Sequence, residues 1–247
     1  MKRHPCNITE TQMRQALREE EFKLFLQPKV HLKNGTVTGA EALVRWISSD
    51  GRTFFPNDFI PLFEQNGFIL SLDHYMLKQA CRLIHFWIKN HLPPVPVSVN
   101  QSRQTFLKPD YVSRLQELIK TWQIPDGFLI LEITEGIALK NETELNSLLS
   151  QIRTLGILTS MDDFGTGYSS LTVLGNLRID ELKLDRGFLL NAAEPSNTRA
   201  RIIMEHTLQM AARLQIPTVT EGIETKEQAE LARDLGSIYG QGYFYGK

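Results

Sequence analysis

Hydrophobic and polar positions change period along this chain, and each change marks an element. Residues 9–21 carry Met13 and Leu17 at helical spacing among acidic and polar neighbours, which predicts an amphipathic helix. Residues 22–30 (F-K-L-F-L-Q-P-K-V) alternate as a strand, Asn34-Gly35 supplies a tight turn, and a second strand runs over 36–46. Pro56-Asn57-Asp58 and Gly67 bracket a short helix, and Ser71 is expected to open a longer one reaching about Asn90.

From there a strand–helix unit recurs. Strands are predicted over 95–100, 128–134, 156–163, 181–185, 217–223 and 239–245. Helices are predicted after Asp110, behind an Asn141–Glu144 capping box, from Ser169, over 198–214, and from Thr225 to Gly236. Eight strand candidates, mostly alternating with helices, predict an α/β fold of the (β/α)8 TIM-like barrel type. The early hairpin departs from that plan. A two-residue turn joins antiparallel neighbours, so the first strand is expected to be irregular and antiparallel.

With no internal linker or repeat visible, residues 9–247 are expected to form one domain. Residues 1–8 read as a leader or domain-boundary remnant, and the stop at Lys247 reads as an imposed boundary.

Composition narrows the function. The chain has 42% hydrophobic and 22% charged residues and a net charge of −1, which excludes a broad basic field for gripping long nucleic acid. Phosphate recognition would have to come from a few placed side chains. Cys6 and Cys81 suggest neither a disulfide framework nor a zinc site. With no membrane-length apolar run and no signal-peptide core, a cytoplasmic segment without membrane contact is expected, although a full-length protein could be anchored through other segments.

The chemistry gathers around M-D-D-F-G-T-G-Y-S-S, residues 161–170. Adjacent carboxylates at the end of a buried strand call for cations, although Asp and Gly also make ordinary solvated turns. The other strand ends favour the first alternative. They carry Gln27 and Lys29, Glu41 with Arg45, Asn100, Glu132 with Glu135, Lys183 with Asp185, Glu221, and Gln241. Barrel enzymes place their chemistry at the C-terminal strand ends, and so many acids aimed at one cavity would repel without cations. No histidine sits at a strand end, which favours oxygen-ligated Mg²⁺ or Mn²⁺ over zinc.

These residues resemble the signature of the EAL family of cyclic-di-GMP phosphodiesterases. The resemblance rests on Glu41-Ala42-Leu43-Val44-Arg45-Trp46, Ser98-Val99-Asn100, Leu131-Glu132-Ile133-Thr134-Glu135 and the D-D-F-G-T-G-Y-S-S loop. It continues through Leu182-Lys183-Leu184-Asp185-Arg186, Thr220-Glu221-Gly222-Ile223-Glu224-Thr225 and Gly240-Gln241-Gly242-Tyr243. It implies a two-metal phosphodiester hydrolase that linearises cyclic-di-GMP to pGpG in bacterial signalling. Glu41, Asn100, Glu132 and Asp162 would hold one ion, and Asp162 would bridge to a second held with Asp163 and Glu221. Lys183 would orient the attacking water, with Glu221 a candidate proton acceptor. Gln27, Arg45, Asp163 and Gln241 would contact substrate, and Glu135 would secure the 163–170 loop.

The resemblance further implies a homodimer and companion signalling domains. An inactive receptor for cyclic-di-GMP or a protein partner is the alternative. Gln101-Ser102-Arg103 departs from the family, where a Leu-Ser or similar pair usually follows the asparagine.

Other residues have plainer roles. Asp185 reads as structural, Glu224 as support at a helix start, and Phe59, Phe63 and Phe68 as core. Cys81 reads as buried, and His31, His74 and His206 as packing or surface positions. Trp46, Tyr168 and Tyr243 are expected near the mouth, where any could stack on a guanine.

Overall fold

The computed structural model describes residues 9–134, 136, 142–165 and 171–246. The leader at 1–8, Asn141 of the expected capping box, Glu135, Tyr168 and the Ser169 helix start lie outside these.

Thr9 caps α1 (Glu10–Arg18), with Gln12 completing a capping box. β1 (Phe22–His31) and β2 (Val37–Ile47) form the expected antiparallel ribbon, and β3 (Thr53–Phe54) adds two residues to its edge. Next come α2 (Pro56–Asn66) and α3 (Ile69–Lys89), then β4 (Val97–Asn100), α4 (Arg103–Phe106) and α5 (Tyr111–Trp122). β5 (Leu129–Thr134), α6 (Glu142–Thr154), β6 (Leu158–Phe164) and α7 (Leu171–Asn176) follow. The chain continues through β7 (Glu181–Leu184), α8 (Arg186–Ala193) and α9 (Thr198–Arg213). It closes with β8 (Thr218–Thr220), α10 (Lys226–Asp234) and β9 (Tyr239–Gln241).

Eight of these strands close a ring in the order β1-β9-β8-β7-β6-β5-β4-β2, sealed by the β1–β2 pairing. β1 runs antiparallel to both neighbours, and the other pairings in the ring are parallel. The expected barrel and its irregular first strand are both present.

Period-two alternation sorts the side chains. Val97, Val99, Leu129, Leu131, Ile133, Met161, Leu182 and Leu184 face out and are buried in the core shared with the helices. Burying each is worth about 1.5–3 kcal/mol, and a one-residue slip would turn this set inward. That preference holds the intervening polar residues inside the barrel. Leu182 and Leu184 face out, so Glu181 and Lys183 both point in.

Some expectations need correction. α3 begins at Ile69 rather than Ser71, because buried Phe68 and Ile69 are drawn into the helix against the aromatic cluster. α4 and α8 are additional short helices. Ser102 caps the first by accepting from the Thr105 amide, and Asp185 caps the second by accepting from the Gly187 amide, which gives Asp185 its structural role. β9 stops at Gln241 instead of reaching 245, because Gly242 turns at φ 153° against Ile223. A Cβ there would stand 2.2 Å from the Ile223 carbonyl oxygen, so only glycine fits.

Candidate active site

Lys183 is the centre of the barrel mouth. Its ammonium is 1% exposed and lies 2.7 Å from Glu132 Oε2, 2.8 Å from Glu221 Oε1, 3.0 Å from Asp162 Oδ1 and 3.1 Å from Glu41 Oε2. β2, β5, β6, β7 and the residue after β8 therefore converge on one point, as the strand-end argument expects. Asn100, ending β4, donates from Nδ2 to Glu41 Oε1 at 2.7 Å. Gln241, ending β9, donates to Gln27 Oε1 at 2.9 Å and to Glu41 Oε2.

Asp163 joins this group through a break in alternation. The β6–β7 register shifts between Met161 and Phe164, and Asp163 takes φ 56°. In an unbroken strand Asp162 and Asp163 would face opposite ways. With the bulge, ligand atoms of Asp162, Asp163 and Glu221 all lie within 4.8 Å of one another. Gly165 (φ 99°) follows, where a Cβ would stand 1.9 Å from the Phe188 ring. No side chain fits there, and the chain can turn off the strand.

The charges are unequal. Burial opposes ionisation of Glu41, but Lys183 and the Gln241 and Asn100 amides outweigh it and hold the carboxyl below its usual range. Burial and the neighbouring Glu41 push Glu132 well above its usual range. Burial, opposed by Lys183 and reinforced by Asp162, raises Glu221 to about 7. Lys183 is desolvated, yet Glu132 and the other carboxylates raise its pKa well above the usual value, so it stays charged.

One lysine thus faces the carboxylates of Glu41, Glu132, Asp162 and Glu221, and Asp163 stands beside the last two. Two divalent ions added to that lysine would neutralise five ionised carboxylates. The oxygen donors fit such ions. Buried Glu132 Oε1 and Gln241 Oε1 have no hydrogen-bond partner, and Asp162 Oδ1 has only its ion pair with Lys183. All-oxygen donors suit Mg²⁺ or Mn²⁺.

The rim is formed by the other face of the β1–β2 ribbon. Phe22, Leu24 and Val44 pack toward the helices, so Lys23, Phe25, Leu43 and Arg45 continue the line of Gln27 and Glu41. Arg45 donates to the Val44 carbonyl, and its guanidinium carbon sits 5.3 Å from the centroid of the exposed Phe55 ring. Among the described residues no carboxylate pairs with it. Phe55, a residue outside every sequence motif, was missed. Its signal was a second aromatic after Phe54, directly before Pro56.

Two mouth assignments are corrected. Lys29 lies below the mouth, because β1 runs against the other strands and its C-terminal end points to the opposite pole. Its ammonium meets Glu181 at 2.7 and 2.8 Å, and Ser160 Oγ donates to the same carboxylate at 3.0 Å. Trp46 faces away from Arg45. It is buried against Phe22 at a centroid distance of 5.2 Å, and its indole donates to Glu21, so it offers no surface to a ligand. Tyr243 is exposed just past β9. Phe59, Phe63, Phe68 and Cys81 are buried, and burial raises the Cys81 thiol to about 12. Thr225 caps α10, and the Glu224 side chain instead pairs with Arg186 of α8 at 3.0 Å.

Fold and site together define an acid-lined α/β barrel suited to divalent cations. The EAL domain model matches residues 10–247, and the chain belongs to the EAL domain family. It is 34% identical over 235 residues to the bifunctional diguanylate cyclase/cyclic di-GMP phosphodiesterase MucR of Pseudomonas aeruginosa, covering 95% of this chain and 34% of that protein. It is 36% identical over 239 residues to the cyclic di-GMP phosphodiesterase NbdA of the same organism, covering 96% of this chain and 30% of that protein. It therefore spans about a third of the length of these relatives. A solved structure described as the PaMucR phosphodiesterase in complex with c-di-GMP superposes with a TM-score of 0.89 at 33% identity, covering 96% of this chain and 95% of that one.

Proposed function

We propose that this domain hydrolyses cyclic-di-GMP to linear pGpG with two Mg²⁺ or Mn²⁺ ions. The observation that carries this is the convergence of four carboxylates on Lys183, with Asp163 beside two of them, at the mouth of an EAL-family barrel. Glu41, Asn100, Glu132 and Asp162 would hold one ion, and Asp162, Asp163 and Glu221 the other. Bound there, the ions would activate a water and neutralise charge developing on phosphorus.

The chain's own groups do the rest. Arg45 presents a fork of donors to a substrate phosphate, held over Phe55. Gln27 and Gln241 contact the ligand beside Glu41. Glu221, 2.8 Å from Lys183, is the candidate acceptor for the proton of the attacking water, and coordination of that water to the ions alone would also suffice. The water oxygen bonds to phosphorus, the bond from phosphorus to the 3′ oxygen breaks, and that oxygen takes a proton from solvent and leaves as a hydroxyl, balanced by the proton the attacking water gives up. Lys183 stays charged and stabilises the extra negative charge of the transition state.

Glu135 would secure the 163–170 loop, and a homodimer, companion signalling domains and a cytoplasmic location complete the proposal. Among the described residues no helix is long and apolar enough to cross a membrane.

The test is turnover of cyclic-di-GMP by the purified chain with Mg²⁺, Mn²⁺ or EDTA, with products resolved by chromatography. Metal-dependent formation of pGpG is expected. Tight ligand binding without turnover would replace the hydrolase with the receptor.

A further inference from the structure

The segment leaving β4 is held by a buried polar relay that the proposed reaction does not use. Tyr111, at the start of α5, donates its hydroxyl to Gln101 Oε1 at 2.9 Å. Gln101 Nε2 donates to the backbone carbonyl of Asn100 at 2.7 Å. Asn100 Nδ2 donates to Glu41 Oε1 at 2.7 Å. Gln101 and Tyr111 are 4% and 2% exposed, so this relay runs through the interior from a helix to the metal-ligand candidates.

The backbone around it is pinned as well. The Gln101 amide donates to the Glu132 carbonyl at 2.9 Å, continuing the β4–β5 ladder. The Ser102 amide and the Thr105 hydroxyl donate to Asp73 Oδ2 on α3 at 3.0 and 2.6 Å.

We propose that Gln101 and Tyr111 are positioning residues for Asn100, fixing the rotation of its peptide so that its side-chain amide stays on Glu41 and turns its oxygen to the metal. This rests on the metal centre proposed above. The logic is that of an outer partner orienting a ligand. Tyr111 decides which way the Gln101 amide faces, the Gln101 NH₂ decides where the Asn100 carbonyl points, and that peptide sets the root of the Asn100 side chain.

The relay could instead merely satisfy buried polar atoms, and a double-mutant cycle separates the two. Wild type, Gln101→Leu, Tyr111→Phe and the double variant are compared by calorimetric Mn²⁺ affinity and by Tm in EDTA. Gln101→Leu leaves the Tyr111 hydroxyl unpaired and strips the Asn100 carbonyl of its Gln101 bond, and Tyr111→Phe leaves Gln101 Oε1 unpaired, whereas the double variant lacks only the bond to the carbonyl. The double variant is therefore expected to recover Tm relative to Gln101→Leu. Its Mn²⁺ affinity should stay roughly tenfold weak, because the bond to the Asn100 carbonyl is still missing.

Recovery of both stability and affinity in the double variant, or wild-type affinity in Gln101→Leu, overturns the positioning role. If Gln101→Leu does not fold, Tyr111→Phe decides: a several-fold loss of Mn²⁺ affinity supports the role, and none overturns it. Absence of Mn²⁺ binding by the wild-type chain overturns the metal centre itself and this inference with it. Binding by the wild type with unchanged affinity in the variants overturns this inference alone.

Discussion

Asp163 follows Asp162 at φ 56°, and that one left-handed residue brings both carboxylates to Glu221. For most L-residues this conformation costs about 1–2 kcal/mol, but Asp and Asn tolerate it. Asp163→Asn should therefore fold with a Tm close to wild type and lose metal-dependent turnover. Asp163→Val should also lose about 1–2 kcal/mol of stability to strain. Denaturant melts with assays on both variants check this. Equal stability of the two would contradict the backbone argument.

Among the described residues, Lys183 is the one cation paired with Glu41, Glu132, Asp162 and Glu221. Replacing it with methionine leaves those acids uncompensated. In EDTA, Lys183→Met should be destabilised by roughly 3–5 kcal/mol. Mn²⁺ should restore part of the loss, while turnover stays absent. A variant as stable as wild type in EDTA would show that the lysine does not hold the cluster together.

Glu221 sets a pH dependence whose sign follows from its raised pKa of about 7, against an ordinary value of 4.5. Between those values the folded, metal-free chain holds more protons than the unfolded one. Its contribution to stability is therefore full below the lower value and lost as pH rises through about 7. Metal binding must displace that proton. The Tm gain produced by Mn²⁺ should grow between pH 6 and pH 8, over roughly the range in which Glu221 ionises. A gain independent of pH across that range would remove Glu221 from the ligand set.

Phe55 holds Arg45 at 5.3 Å on an exposed rim. An exposed cation–π contact is worth about 0.5–1 kcal/mol, so Phe55→Ala should raise KM for cyclic-di-GMP roughly two- to five-fold. The kcat should hardly change, and Phe55→Tyr should restore KM. A fall in kcat at constant KM would place Phe55 in the chemistry instead.

How much was legible depended on whether the signal was local. The eight strands, the antiparallel ribbon after Asn34-Gly35 and the Thr225 cap of α10 all follow from short-range patterns. Lys29 was misplaced because a rule about C-terminal strand ends was applied to β1, which runs against the other strands of the ring. Trp46 was misplaced because it neighbours Arg45, although adjacent strand residues face opposite sides. Neither α4 nor α8 is long enough to show a helical period.

By itself, the amino-acid sequence determined the barrel alternation and the set of acids, amides and lysines available to its interior. Alternation needs only a residue and its neighbours. The tertiary structure decided which of those groups meet: Lys183 at four carboxylates, Asp163 beside Asp162, Phe55 under Arg45, and Tyr111 behind Asn100. Those meetings join positions far apart in the chain. They depend on how β1 closes the ring and where β6 bulges, and only the packed whole sets both.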